Sequence, residues 1–429
     1  MLKRSANFEF SISEDEGFST KFFHFYVEEG TKELTLRIAP GKDVGLKNEL
    51  KVLVYDPCGE FRGWLDPKRY EILLSAEKSS SNGVKGYVPF GEWTLFVETG
   101  TISHASRYRI ETLSQVDKIH ENWYLGELHS HTTKSDGEMD LNDLVQEAKK
   151  HELDFLFVSD HDVPLICDDE STCKTDDELK ILPAVEITTY KGHALALGIQ
   201  RHVPPQSMIE SPEFSSKLVR SEGGIFGIAH PFFPPSPYCS GCRWSYGFIP
   251  TSVDFLELWN SGGVASQLPA FNLAALSLWT EFLNEGFRIS ATSGGDIHRK
   301  EDFNDFWLPF HVRSDELSLK ALICSIKAGR GHACRGKFLF EVFHEGKKYR
   351  CGDVITAAED DILEIRVNSE LADEILLLSS AGAMKIDASS FDKKFQSKDV
   401  RWLSVLALHN EKIVGFSNPI FLKSGKESS

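Results

Sequence analysis

Residues 124–162, YLGELHSHTTKSDGEMDLNDLVQEAKKHELDFLFVSDHD, decide how the rest of the chain is read. The stretch reads as strand, loop, helix, strand. His129 and His131 stand two apart, so on a strand both imidazoles point to one face, and Asp136 follows in a turn-forming SDG. Asp140 is placed to N-cap a helix that carries Leu141, Leu144, Val145 and Ala148 on one face. The apolar run LDFLFVS then delivers Asp160 and His161 to the far end of a second strand. In α/β proteins that end of a strand is where chemistry collects.

Working outward, residues 119–333 keep the same texture. Strands are expected at ILPAVEITT, HALALGI, GIFGIAH, SVDFLELWN and RISATSGGD, with helices around SSKLVRSEG and FNLAALSLWTEFLNEG. This alternation predicts a mostly parallel sheet or a barrel. One ligand-type residue after another falls at the strand ends: Glu186, His193, His230, Asp296 and His298. Together with His129, His131, Asp136 and His161 they make six imidazoles and three carboxylates. A single catalytic zinc uses about three protein ligands, so the set predicts two or three divalent ions. Nitrogen and carboxylate donors without thiolates suit zinc, manganese or iron(II). Any one of these residues could be a packed histidine or an Asx turn; the position of all nine at strand ends is what points to metal.

The pattern ELHSHT, SDG, VSDH, a strand glutamate, a strand histidine, AHP and GGDIH resembles the PHP (polymerase and histidinol phosphatase) superfamily of metallohydrolases. The resemblance implies a distorted seven-stranded β/α (TIM-like) barrel over residues 119–333. It also implies a trinuclear centre: His129, His131, Glu186 and Asp296 around one ion, Glu186 bridging to a second held by His193 and His230, and Asp136, His161 and His298 around a third. The stretches VYDPCGEFRGW, GYVPFGEWTLFV, AGRGHACRG and FSNPIF resemble, more loosely, the carbaryl-hydrolase-like (CehA/McbA) branch, in which β domains flank the barrel.

The flanks fit that layout. Residues 1–118 carry short alternating runs such as FEFSIS, KFFHFYVEE, LTLRIAP and ELKVLVYDP between turns, which predicts a β-sandwich. Residues 334–429 return to β texture in KFLFEVFHEG, ILEIRVNS, EILLLSS and VRWLSVLALHN, and a second sandwich-like domain is expected there. The formal charge of −17 and pI near 5.4 disfavour non-specific nucleic-acid binding, which needs a cationic field. No signal-peptide core or membrane span is visible, and a cytoplasmic protein is expected. Eight cysteines without a framework are expected to be reduced thiols. The sequence is silent on oligomeric state.

Ions close together would share a water, lower its pKa and polarise the attacked oxygen, so no serine or cysteine nucleophile is required. Three divalent ions against three carboxylates leave a cationic pocket suited to a small anionic substrate. The expected activity is therefore phosphoesterase, with a metal-bridging hydroxide attacking a small phosphomonoester or phosphodiester. Carbamate, ester or amide hydrolysis by the same water is the alternative, and a non-catalytic binding or scaffold protein the third reading. Asp160 and Asp162 flank His161 and are expected to orient an imidazole or protonate a leaving group, unless they are solvated turn residues. Arg299 is expected to grip phosphate, with Lys134 and Lys191 as weaker candidates. Cys239 and Cys242 form a lone CxxC, too little for a structural zinc site. The loop that holds them, with Trp244 and Tyr246, and the acidic insert LICDDESTCKTDDE are the expected specificity elements.

Overall fold

A computed structural model describes residues 2–40, 48–117, 122–167, 179–265, 267–358 and 360–424. The chain divides into two compact units, Met1–Asn122 and Trp123–Ser429. It is mixed α/β with strands predominating, and the described residues contain five α-helices.

The first unit consists of two four-stranded antiparallel sheets. One orders Leu2–Ile12, Ser106–Val116, Thr31–Pro40 and Glu71–Ser75; the other orders Thr20–Val27, Gly91–Thr99, Leu50–Tyr55 and Phe61–Leu65. Alternation along each strand sends one set of side chains inward. Leu34, Leu36, Tyr108 and Ile110 from the first sheet meet Val52, Val54, Trp93 and Leu95 from the second in one core, so this unit is sandwich-like as expected.

In the second unit the strands that carry the candidate ligands lie side by side in the order Ser290–Gly294, Phe255–Asn260, Ile225–Ile228, Gly192–Leu197, Lys180–Thr189, Phe155–Val158 and Asn122–Glu127. Pairing is parallel at Asn122–Glu127 with Phe155–Val158, at Phe155–Val158 with Lys180–Thr189, and along Ile225–Ile228, Phe255–Asn260 and Ser290–Gly294. Lys180–Thr189 and Gly192–Leu197 instead form a hairpin, antiparallel because the turn at Tyr190–Lys191 is too short for a crossover. With this hairpin and five α-helices among the described residues, the chain departs from the regular strand–helix alternation of a TIM-like barrel. The two ends of the strand row nevertheless meet: Ser130 bridges Ile297 in parallel, His131 N–H donates to the Ile297 carbonyl at 2.8 Å, and Ile297 N–H donates to the His129 carbonyl at 3.1 Å.

Beyond Asn122–Glu127 the same sheet continues through Phe310–Ser314 and Gly331–Cys334 to Lys412–Ser417 and Trp402–His409. The expected boundary at 333/334 therefore falls inside a continuous sheet, with Cys334 paired to Gly415. A separate sheet of Lys347–Tyr349, Phe338–His344, Ile362–Ser369 and Ser390–Gln396 lies over its C-terminal part, and Phe340, Val342 and Ile365 pack with Leu377, Leu403 and Val405.

The helix after the HxH loop runs Leu141–Lys150, and Asp140 caps it by accepting from Asp143 N–H at 2.9 Å. Leu144 and Ala148 bury fully against Leu156 and Val158. The helix thereby fixes the length of chain between the two ligand-bearing strand ends.

The expectation of reduced thiols is overturned in part. Cys239 and Cys242 form a disulfide, and Cys58, Cys167 and Cys324 are also disulfide-bonded, whereas Cys334 and Cys351 are buried free thiols. The turn through Gly241, whose φ of +92° favours glycine, brings the Cα atoms of Cys239 and Cys242 to 5.7 Å, inside the span a disulfide bridges. Cysteine usage therefore no longer argues for a reducing compartment. No helix among the described residues is long and apolar enough to cross a membrane.

Candidate metal centre

His129 and His131 leave the C-terminal end of the Asn122–Glu127 strand and are fully buried. His129 Nε2 lies 3.2 Å from Glu186 Oε2 and 3.3 Å from Asp296 Oδ1. His131 Nε2 lies 3.3 and 3.2 Å from the same two oxygens. Glu186, fully buried inside the Lys180–Thr189 strand, turns its other oxygen to His193 Nδ1 at 3.0 Å and His230 Nε2 at 3.1 Å. His161 Nδ1 approaches Glu186 Oε2 to 3.1 Å, and its Nε2 is 3.4 Å from Asp136. His298 Nε2 is 3.3 Å from Asp136 Oδ1. All nine candidate ligands thus meet in one cluster centred on Glu186.

Several of these atoms have no hydrogen-bond partner although they are buried: His129 Nε2, both nitrogens of His131, Glu186 Oε2, His193 Nε2 and His230 Nδ1. Buried polar atoms are normally paired, because stranding one costs about 1–3 kcal/mol. Three of these atoms face one another, His129 Nε2 and His131 Nε2 standing 3.2 and 3.3 Å from Glu186 Oε2, and stranding them together is costly unless a cation satisfies them. Two four-residue groups have donor atoms within 4.8 Å of one another: His129, His131, Glu186 and Asp296, and His131, Asp136, His161 and His298. The donors are imidazole nitrogen and carboxylate oxygen, the chemistry expected of borderline divalent cations, so the residues fit such ions.

Neighbouring groups set which nitrogen faces inward. Glu257 Oε1 accepts from His129 Nδ1 at 2.9 Å, leaving Nε2 toward Glu186. The Asp296 carbonyl accepts from His298 Nδ1 at 2.8 Å, which leaves Nε2 toward Asp136. Such outer carboxylates and carbonyls fix the tautomer and raise the basicity of the ligating nitrogen. Glu257 also accepts from His230 N–H at 2.7 Å and from the Asn260 amide at 3.1 Å. Glu127 accepts from the backbone N–H of His129 and Gly295 and from the Trp307 indole, so it ties the first and last strands of the row together. Sequence reasoning missed both glutamates. Their signal was a carboxylate inside an apolar strand run, FLELWN and YLGEL, where burial is tolerated only with partners.

Without a cation the electrostatics are strongly coupled. Burial disfavours a charged His129, but the Asp296, Glu186 and Glu257 carboxylates outweigh it and hold the imidazole well above its usual range. The same balance raises His161 to about 9 and His298 to about 10, burial being overcome chiefly by Glu186 for the first and Asp296 for the second. Glu186 and Asp296 are driven well below the carboxylate range, the histidines overcoming burial. His193 is lowered, by burial and despite Glu186. Glu127 is pushed up to about 7 by burial, which outweighs its hydrogen bonds from Gly295, Trp307 and His129.

The backbone is also unusual here. Asp296 and His230 hold φ of +50° and +26°, and Asp162 holds +54°. Residues kept in the left-handed region cost about 1–3 kcal/mol and cluster at functional sites. Gly294 must stay small, because a Cβ there would overlap Glu257 and His129.

The residues proposed from sequence to flank the ligands are tied up as follows. Asp160 is buried; it accepts from Thr132 N–H, Thr132 Oγ1 and Ser135 Oγ, each at 2.7 Å, so its hydrogen bonds secure the loop between His131 and Asp136. Asp162 accepts from Thr188 N–H at 2.9 Å and is half-buried. Arg299 is half-exposed and pairs with Asp302 at 3.4 Å. Lys191 lies over the Tyr246 ring, Tyr246 hydrogen-bonds Thr189, and Trp244 is buried with its indole donating to the Gly247 carbonyl. Cys242 brings its sulfur within 4.8 Å of His193 and His230 donor atoms. Of the acidic insert, residues 168–178 lie outside the described residues.

No family model matches the sequence, and no curated protein matches it. Among solved structures, a two-domain protein from Bacteroides vulgatus ATCC 8482, described as containing a predicted PHP-like metal-dependent phosphoesterase, is similar at 12% identity and a TM-score of 0.37, over 71% of this chain and 98% of that one.

Proposed function

We propose that this chain is a metal-dependent phosphoesterase of PHP type, in which the curled row of seven strands is a distorted barrel and the strand-end cluster is a trinuclear centre. The observation that carries the reading is that the buried His129 Nε2, His131 Nε2 and Glu186 Oε2 face one another without hydrogen-bond partners. His129, His131, Glu186 and Asp296 would hold one ion, Glu186, His193 and His230 a second, and Asp136, His161 and His298 a third. Ions held there would supply Lewis-acid polarisation of the substrate oxygen and a water acidic enough to attack near neutrality.

The chain's own residues define the rest. Glu257 and the Asp296 carbonyl hold His129 and His298 in the orientation that ligation needs, and Asp160 fixes the loop that presents Asp136. Exposure rises from the fully buried His131 through His161 and His298 to Asp136, whose side chain is 56% exposed, so substrate enters on the Asp136 side. His161 and His298 are the most readily protonated groups at that mouth in the absence of metal, and they favour an anionic substrate. Arg299, half-exposed beside His298, is positioned to contact a phosphate only after leaving Asp302.

The test is metal content after chelation and reconstitution, followed by assays with manganese or zinc on aryl phosphates and aryl carbamates. Two or three bound ions per chain with phosphate ester hydrolysis are expected. Turnover of carbamates alone would replace phosphoesterase by carbonyl hydrolysis. Fewer than two ions and no hydrolysis would leave a binding or scaffold protein as the better account.

A further inference from the structure

A second group of metal-type donors lies elsewhere on the same sheet. Phe310–Ser314 and Gly331–Cys334 pair antiparallel, with His311 directly opposite His332. Their rings stack with centroids 4.7 Å apart and an interplanar angle of 13°. Cys334 follows His332 by two residues, so its sulfur emerges on the same face. Donor atoms of His311, His332 and Cys334 all lie within 4.8 Å of one another. The flanking Phe310, Val312 and Ala333 point into the main core, which places the three donors on the opposite face of these strands.

This group differs from the strand-end cluster in donor type. It contains no carboxylate; Trp123 and Phe338 border His332 at ring-centroid distances of 4.6 and 5.0 Å. His332 and Cys334 are buried, while His311 is partly exposed, so an ion bound there has a route to solvent and an open position for a water. Across the ladder the partner of Cys334 is Gly415, where a Cβ would stand 2.9 Å from that of Cys334; the glycine leaves the cysteine room.

We propose that His311, His332 and Cys334 form a second cation site, for a zinc-type divalent ion held by two imidazole nitrogens and one thiolate, with water completing a tetrahedron. Imidazole nitrogen and thiolate sulfur are both zinc-type donors, and oxygen-seeking ions such as magnesium or calcium gain little from them. Burial keeps both imidazoles neutral, hence with a lone pair to offer, and keeps the thiol protonated; binding therefore releases one proton from Cys334 for each ion taken up.

Cobalt(II) replacing zinc in the full-length protein tests the assignment, because thiolate-to-cobalt charge transfer absorbs in the near ultraviolet and an all-nitrogen-and-oxygen centre cannot produce it. The expected result is this band in the stripped and reloaded wild type, its loss together with one metal equivalent per chain in Cys334→Ser, its weakening in His332→Gln, and its displacement by zinc. The double variant Cys239→Ser, Cys242→Ser should leave the band in place, which separates this site from the sulfur near His193 and His230. Circular dichroism establishes that each variant is folded. A folded wild type that takes up cobalt without the band, or a band that survives Cys334→Ser, overturns the proposal; neither result bears on the strand-end cluster, whose readout is hydrolysis.

Discussion

His161 and His298 of the strand-end cluster and the stacked pair His311 and His332 are the same side chain pushed in opposite directions. His161 and His298 lie beside Asp136, Glu186 and Asp296, and the carboxylates raise them to about 9 and 10 in spite of burial. His311 stacks on another neutral imidazole, His332, and burial takes it down to about 4 against a hydrogen bond to the Cys334 backbone. The charge of a buried histidine is set by the balance between desolvation and neighbouring carboxylates: the carboxylates win at His161 and His298, burial wins at His311. The first cluster is accordingly a field of alternating charge that a cation can reorganise, the second an uncharged set that can only add one.

The largest effect that would break this contrast is expected at Glu186, a carboxylate within reach of five imidazoles. Glu186→Ala should abolish hydrolysis and release metal, a loss of at least about 100-fold given the several kcal/mol that Lewis-acid stabilisation supplies. His129→Ala and Asp296→Ala should follow closely. Turnover within tenfold of wild type in these variants would remove the cluster from catalysis.

A smaller effect is expected from Glu257→Gln, which keeps the shape but weakens the hold on His129 Nδ1 and on His230 N–H. Outer partners of ligating histidines are worth about 10–100-fold in metal affinity or activity. Metal-competition titration would check this, and unchanged affinity would show that the His129 tautomer is fixed by something else.

The opposite pKa directions predict opposite pH slopes in the metal-stripped protein. His311 is lowered from 6.5 to about 4, so the native state binds fewer protons than the unfolded chain between those values. Its contribution to stability is present above 6.5 and lost as pH falls toward 4. His161 and His298 are raised, so theirs is present below 6.5 and lost as pH rises through about 9 and 10. Urea midpoints measured across pH should show a shallower acidic slope in His311→Phe and a shallower alkaline slope in His298→Asn, the other buried groups keeping the remainder; a variant that flattens the wrong limb contradicts the contrast.

The smallest effect belongs to the helix that follows the HxH loop. Asp140→Ala removes the cap of Leu141–Lys150 and should cost about 1 kcal/mol in stability, read by urea unfolding, with activity unchanged.

How far the sequence reached depends on the range of the forces involved. The helix after the HxH loop was legible because an N-cap and a 3.6-residue apolar period are local, and Leu144 and Ala148 are indeed its buried positions. The helices Pro212–Ser221 and Ala270–Asn284 likewise coincide with the expected segments. The helix Leu319–Lys327 escaped notice, because its run ALICSIK is buried nearly all round and shows little alternation. The break at 333/334 was drawn where texture changes, yet sheet pairing ignores texture and carries Cys334 across to Gly415. Glu127 and Glu257 read as ordinary strand residues until distant backbone amides and imidazoles gave them partners.

By itself the sequence determined the donor inventory: nine candidate imidazole and carboxylate ligands, because side-chain chemistry is fixed by residue type and strand period by spacing. Only the tertiary structure decided how those donors group around Glu186, which nitrogen of each ring turns inward, and that His311 meets His332 and Cys334 on another face. These are contacts between residues far apart in the chain, and their geometry exists only once the sheet has paired, curled and buried them.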